Sequence, residues 1–85
     1  MKIRVEQEDI EIGVSGNATC CPVARAVGRQ VPNARAVAVT RDCVSVIFKG
    51  HGKREWKNDW TLWERITLFD IEKRMTPFEF ELANI

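Results

Sequence analysis

The side chains best suited to covalent chemistry in this sequence are Cys20, Cys21 and Cys43, with His51 as the single histidine. Cys21 precedes Pro22, and proline is favoured at the first position of a helix because its missing N–H has no partner there. A thiol at a helix N-terminus is pulled toward thiolate. Such a nucleophile needs a base, and His51 is the candidate. Nothing in the spacing brings residues 21 and 51 together. More simply, Cys20 and Cys21 are small buried residues sealing the helix start, and Cys43, alternating with Ser45 on a strand, is structural. There is no C-x-x-C, so no metal site and no cofactor is expected. Gly50-His51-Gly52 is too short for a phosphate loop. No carboxylate pair stands in the apolar setting that acid–base catalysis requires. The sequence therefore points to a protein that is not an enzyme.

Binding chemistry is better supplied. Lys49, His51, Lys53, Arg54 and Lys57 form a basic turn with Trp56 and Trp60 nearby. Cations there would neutralise phosphates, and an exposed indole would stack on a base; the simpler alternative is a solvated turn whose tryptophans lie in the core. Arg25 and Arg29, four residues apart, share one side of the expected helix and join the candidate contact surface. Arg35 and Arg41 extend it if helix and hairpin present them together.

A net charge of +1 conceals a segregation. Residues 1–24 carry Lys2 and Arg4 against Glu6, Glu8, Asp9 and Glu11, a balance of −2. Residues 25–54 hold seven basic residues against Asp42 alone, +6, and residues 55–85 four against seven acids, −3. A basic middle between acidic ends makes a dipolar surface if the fold keeps the blocks apart. The acidic run at 6–11 is expected to be a solubilising edge.

The elements that must position these residues follow from periodicity. Ala36–Thr40 and Cys43–Phe48 alternate β-branched residues around Arg41-Asp42, the pattern of a hairpin, with a third strand expected at Arg54–Lys57. Lys2–Glu6 alternates as a short strand, Gln7–Ile12 makes one helical turn ended by Gly13, and residues 14–19 form a loop. A helix runs from Pro22 to near Gln30 with Val23, Val27 and Val31 on one face. A second starts near Thr61, where Thr61-x-x-Glu64 fits a capping box, and buries Leu62, Ile66 and Phe69. Phe78–Leu82 alternates strictly. Its outward Glu79 and Glu81 match the outward Lys2 and Arg4, so the two terminal strands are expected to pair.

Together these predict an α+β fold: one mostly antiparallel sheet of about five strands with two helices packed on one face, in a single domain spanning residues 1–85. Three tryptophans and four phenylalanines are expected to supply much of the core. No run approaches the ~18 apolar residues of a membrane span, and the odd cysteine count argues for reduced thiols in a cytosol.

The start Lys2-Ile3-x-Val5-x-Gln7-x-x-Ile10, the helix opening Cys21-Pro22-Val23-Ala24-x-Ala26, the valine-rich hairpin and the closing Phe69-Asp70…Pro77-Phe78-Glu79-Phe80 resemble short uncharacterised proteins of phages and prophages. The chain departs from that pattern in its longer basic turn at 49–57. The resemblance implies a phage genetic context and carries no site. Together with the small size, the charged fold and the lack of a catalytic constellation, it leads to the expectation of a protein in the host cytoplasm that acts by protein–protein interaction on a host protein or complex, as anti-CRISPR and anti-restriction proteins do. The alternative is a small nucleic-acid-binding protein using the basic turn. No membrane partner is expected, and the oligomeric state is open.

Overall fold

Alternating valines dictate which side of the central hairpin is buried. The computed structural model describes residues 1–50 and 52–84 and contains β1 (Lys2–Val5), α1 (Gln7–Ile12), α2 (Pro22–Gln30), β2 (Ala34–Val39), β3 (Cys43–Phe48), β4 (Gly52–Lys57), α3 (Trp60–Glu72) and β5 (Phe78–Glu81). β2 and β4 flank β3 in antiparallel register, with Val37 opposite Val46, Val39 opposite Val44 and Trp56 beyond Val44. Cross-strand partners point to one face, so Val37, Val39, Val44 and Val46 form the inner side. Val23 and Val27 of α2 are fully buried and belong to the same cluster as Val39, Val44 and Val46; each such side chain contributes roughly 1.5–3 kcal/mol by leaving water.

The terminal strands pair as their charges suggest. Lys2 faces Glu81 and Arg4 faces Glu79, and Arg4 Nε lies 3.2 Å from Glu79 Oε2. The five strands nevertheless form two sheets, β1–β5 and β2–β3–β4, instead of one. The free edge of β1 is closed by a side chain: Arg4 N–H donates to Gln30 Oε1 (2.9 Å), and Gln30 Nε2 donates back to Arg4 C=O (2.6 Å). A cleft of about 280 Å³ separates β5 from the end of β4, spanned by Trp56 Nε1 donating to Ala83 C=O (2.8 Å). Side-chain amides and indole thus stand where a continuous ladder was expected. Among the described residues there are three helices instead of two, with α1 a full element of six residues.

Helix ends show what local chemistry selects. Asp59, not Thr61, caps α3, accepting from Leu62 N–H at 2.8 Å. Cys21 caps α2, its sulfur accepting from Ala24 N–H at 3.4 Å. Gly13 follows from proximity: a Cβ there would lie 2.6 Å from the Pro22 ring and 2.7 Å from Asp9 C=O. Of the three tryptophans and four phenylalanines, only Phe69 is buried; the centre of the core is mainly valine, isoleucine, leucine and alanine, with Phe48, Trp56, Phe78 and Phe80 half-buried against it.

One acidic residue of the 6–11 run is also interior. Asp9 is 2% exposed; it accepts from Glu6 N–H at 3.0 Å and from Arg29 Nη2 at 2.6 Å. Arg29 also pairs with Glu6 at 3.2 Å, fastening α1 to α2. Asp9→Ala removes a buried acceptor from two donors and is expected to destabilise the fold by about 1–3 kcal/mol. Glu79→Gln, on an exposed pair, changes stability by less than about 1 kcal/mol. Urea denaturation of both variants measures the difference.

Candidate functional site

The thiols divide by environment. Cys20 is exposed, Cys43 half-buried and Cys21 buried; Cys20 thus departs from the sealed position expected for it. Burial pushes the Cys21 thiol above its ordinary pKa, helped by nearby Asp70 and opposed by backbone N–H groups at the start of α2. Desolvation therefore outweighs the helix N-terminus, and Cys21 is held as a neutral thiol. It borders a hollow of about 360 Å³ with Thr40, Arg41 and Asp70 among the lining residues. His51, the proposed base, lies outside the described residues. Among the described residues no cluster of His, Cys, Asp and Glu is arranged to hold a metal.

The expected contact residues separate into three environments. Arg29 is committed to Asp9, which raises its pKa further. Arg25, one turn earlier on α2, is half-buried, and its Nε is sequestered without a partner. Both belong to the helix that packs under the sheet. Arg54 shares the face of β4 with Trp56 but stays exposed, its guanidinium 4.8 Å from the indole centroid, and binds the C=O groups of Ala83 and Asn84. It ties β4 to the residues after β5.

Lys49, Lys53 and Lys57 remain exposed. Register places Lys53 opposite Ile47 and Lys57 opposite Cys43, on the outward face with Ala36, Ala38, Cys43, Ser45, the exposed Ile47 and Glu55. No residue of that face is buried, so no helix covers it. Arg35 sits at the bulge in β2 and Arg41 in the β2–β3 turn, both exposed. Asn58 holds that turn by donating from Nδ2 to the C=O groups of Thr40 and Arg41 at 2.9 and 3.0 Å. Among the described residues Arg35, Arg41, Lys49 and Lys57 take part in no ion pair. Lys53 approaches only Glu55, at 3.8 Å. Residues 34–57 carry Arg35, Arg41, Lys49, Lys53, Arg54 and Lys57 against Asp42 and Glu55, a balance of +4. The segregation along the chain thus becomes a cationic sheet.

The spacing of residues along α3 also builds a second surface. Trp60, Trp63, Thr67 and Ile71 repeat at i, i+3, i+7 and i+11, opposite the buried Leu62, Ile66 and Phe69. Trp60 and Ile71 are each 70% exposed and Leu68 42%. Trp60 and Trp63 stack with ring centroids 4.9 Å apart, beside Arg41 and Lys57. Both indoles were expected inside; Trp60 lies outside and Trp63 is half-buried beside it, and their own spacing on α3 was the signal that they leave the face of Leu62, Ile66 and Phe69.

No helix among the described residues is long and apolar enough to cross a membrane. Alkylation at neutral pH is expected to modify Cys20 first and Cys21 only on unfolding, followed by mass spectrometry of digested peptides. Above the ordinary thiol value of about 8.5, the unfolded chain loses the Cys21 proton while the folded chain keeps it. Stability therefore falls as pH rises through that window, an effect that Cys21→Ala removes. Native-state modification of Cys21 at the rate of Cys20 would contradict its assigned burial. No protein-family model, curated protein or solved structure matches the chain.

Proposed function

We infer that this chain is a non-enzymatic interaction protein that docks the outward face of β2–β3–β4 on an acidic surface of a partner protein. The observation that carries this is the uncovered sheet face itself: Ala36, Ala38 and Ser45 with the exposed Ile47 at its centre, and around it Arg35, Arg41, Lys49 and Lys57 outside any ion pair among the described residues, with Lys53 near only Glu55. Small residues let another surface approach closely, and unpaired cations steer an acidic partner and set its register. The resemblance to short phage and prophage proteins makes the partner a host protein. Blocking a defence complex, in the manner of anti-CRISPR or anti-restriction proteins, is the activity such docking would serve in the host cytoplasm.

A second reading has one specific observation in its favour. Trp60 stands 70% exposed beside Arg41 and Lys57, a pairing of stacking platform and cation that suits single-stranded nucleic acid.

The triple variant Lys49→Glu/Lys53→Glu/Lys57→Glu alters only exposed side chains and is expected to fold as the wild type by circular dichroism. A partner captured by the wild type from host lysate should bind this variant roughly tenfold more weakly or worse, about 1.4 kcal/mol. Capture of the same proteins by both forms, or of none by the wild type, contradicts the docking role. Wild-type binding to short DNA or RNA, with a log–log salt slope reduced by about 1 for each lysine removed, would favour the second reading.

A further inference from the structure

The outward side of α3 is apolar along nearly its whole length. Trp60, Trp63, Leu68 and Ile71 extend over eleven residue steps, about 16 Å at 1.5 Å per residue. A hollow of about 390 Å³ runs over Trp63, Glu64, Thr67, Leu68, Ile71 and Glu72. With a large apolar side chain presenting about 150–250 Å² and the exposures found here, the patch amounts to roughly 300–400 Å². That is the size at which the largest patch of a monomer is often functional. Twice that area, with the charged flanks added, reaches the ~1,000 Å² expected of a specific interface.

The charges beside the patch select the occupant. When two copies of one helix pack antiparallel about a two-fold axis, each flank meets its own reversed copy, so it fits only if its two ends carry opposite charges. On α3 Arg65 and Glu72 lie three and four residues either side of Leu68. Glu64 on the N-terminal half is likewise balanced by Lys73 and Arg74 just past the C-terminal half. With the axis between Thr67 and Leu68, Arg65 falls close to the partner's Glu72 and Glu64 within a turn of the partner's Arg74. The Trp60–Trp63 stack falls close to the partner's Ile71 and Arg74, the latter a cation that suits an indole face. Thr67, the smallest residue of the stripe, sits beside the axis, where the helices approach most closely. Arg74 is 77% exposed and touches only Glu72, at 3.9 Å; Arg65 is half-buried with its guanidinium over the Phe78 ring, 4.4 Å from the centroid, a contact through the planar face that leaves N–H edges for a carboxylate.

We propose that the chain forms a two-fold dimer in which α3 packs antiparallel against α3 of a second copy. This uses a surface other than the cationic sheet, so the dimer stands or falls independently of the partner-docking role. It also leaves both sheet faces free, making the dimer a divalent binder.

Sedimentation equilibrium of the full chain, at concentrations up to the millimolar range, is expected to give twice the monomer mass. Ile71→Asp, at a 70% exposed position, should weaken association at least about tenfold with an unchanged circular dichroism spectrum. Glu72→Arg should weaken it also, and Arg65→Glu combined with Glu72→Arg should restore it. In a Cys20→Ser background, Leu68→Cys is expected to form an intermolecular disulfide on mild oxidation. Trp60→Cys, whose mate lies about 22 Å away along the helix axis, should not. A wild-type chain that stays monomeric overturns the proposal and leaves the face to another protein's helix or to a stacking base. A dimer unaffected by Ile71→Asp, or cross-linked at position 60 and not at 68, overturns the stated geometry.

Discussion

The packing of Val23 and Val27 against Val39, Val44 and Val46 is the contact from which the other features of the molecule follow. A chain of 85 residues buries a modest share of its surface, and here α2, α3 and the terminal strands are spent on one side of the three-stranded sheet. The other side stays open. Open positions accept Ala36, Ala38 and Ser45 at the centre and lysines at the margin without penalty, which is why the same strands that build the core also present the cationic face.

A core of β-branched and small residues leaves little room for indoles. Trp56 lies half-buried at the edge of the cluster and spends its N–H on Ala83; Trp60 and Trp63 stack on each other outside. Side chains also hold the two sheets together. Gln30 satisfies the β1 edge, and Arg54 binds the residues after β5. These contacts engage particular cations within the molecule. Arg29 and Arg54 fasten one element to another, whereas Lys49 and Lys57 take part in no ion pair among the described residues and Lys53 approaches only Glu55.

Much of the framework was legible in the residues. The hairpin follows from strict alternation around Arg41-Asp42, and the pairing of β1 with β5 from opposite charges at matched positions, because both signals are local or repeat with period two. The split into two sheets was not legible: it depends on the Gln30 amide outcompeting a neighbouring strand, a contact between residues 26 apart. Asp9 was hidden for a similar reason. A carboxylate in an acidic run reads as solvated unless its partner is known, and that partner is Arg29, twenty residues away. The placement of Trp60 and Trp63 was written in their spacing on α3, but hydrophobicity alone assigned them to the core. Of the expected contact residues, charge type was readable and orientation was not, since whether a lysine points out or an arginine in depends on register against β3.

The central claim is that the outward face of β2–β3–β4 is both uncovered and positive in potential. Nuclear relaxation by soluble paramagnetic agents reads both properties residue by residue, using a neutral and an anionic agent of similar size. A neutral agent should broaden Ala36, Ala38 and Ser45 strongly and spare Val44 and Val46, and the anionic agent should add further broadening around Lys49, Lys53 and Lys57. Equal protection of the two faces, or no preference of the anionic agent for the lysines, would contradict the account.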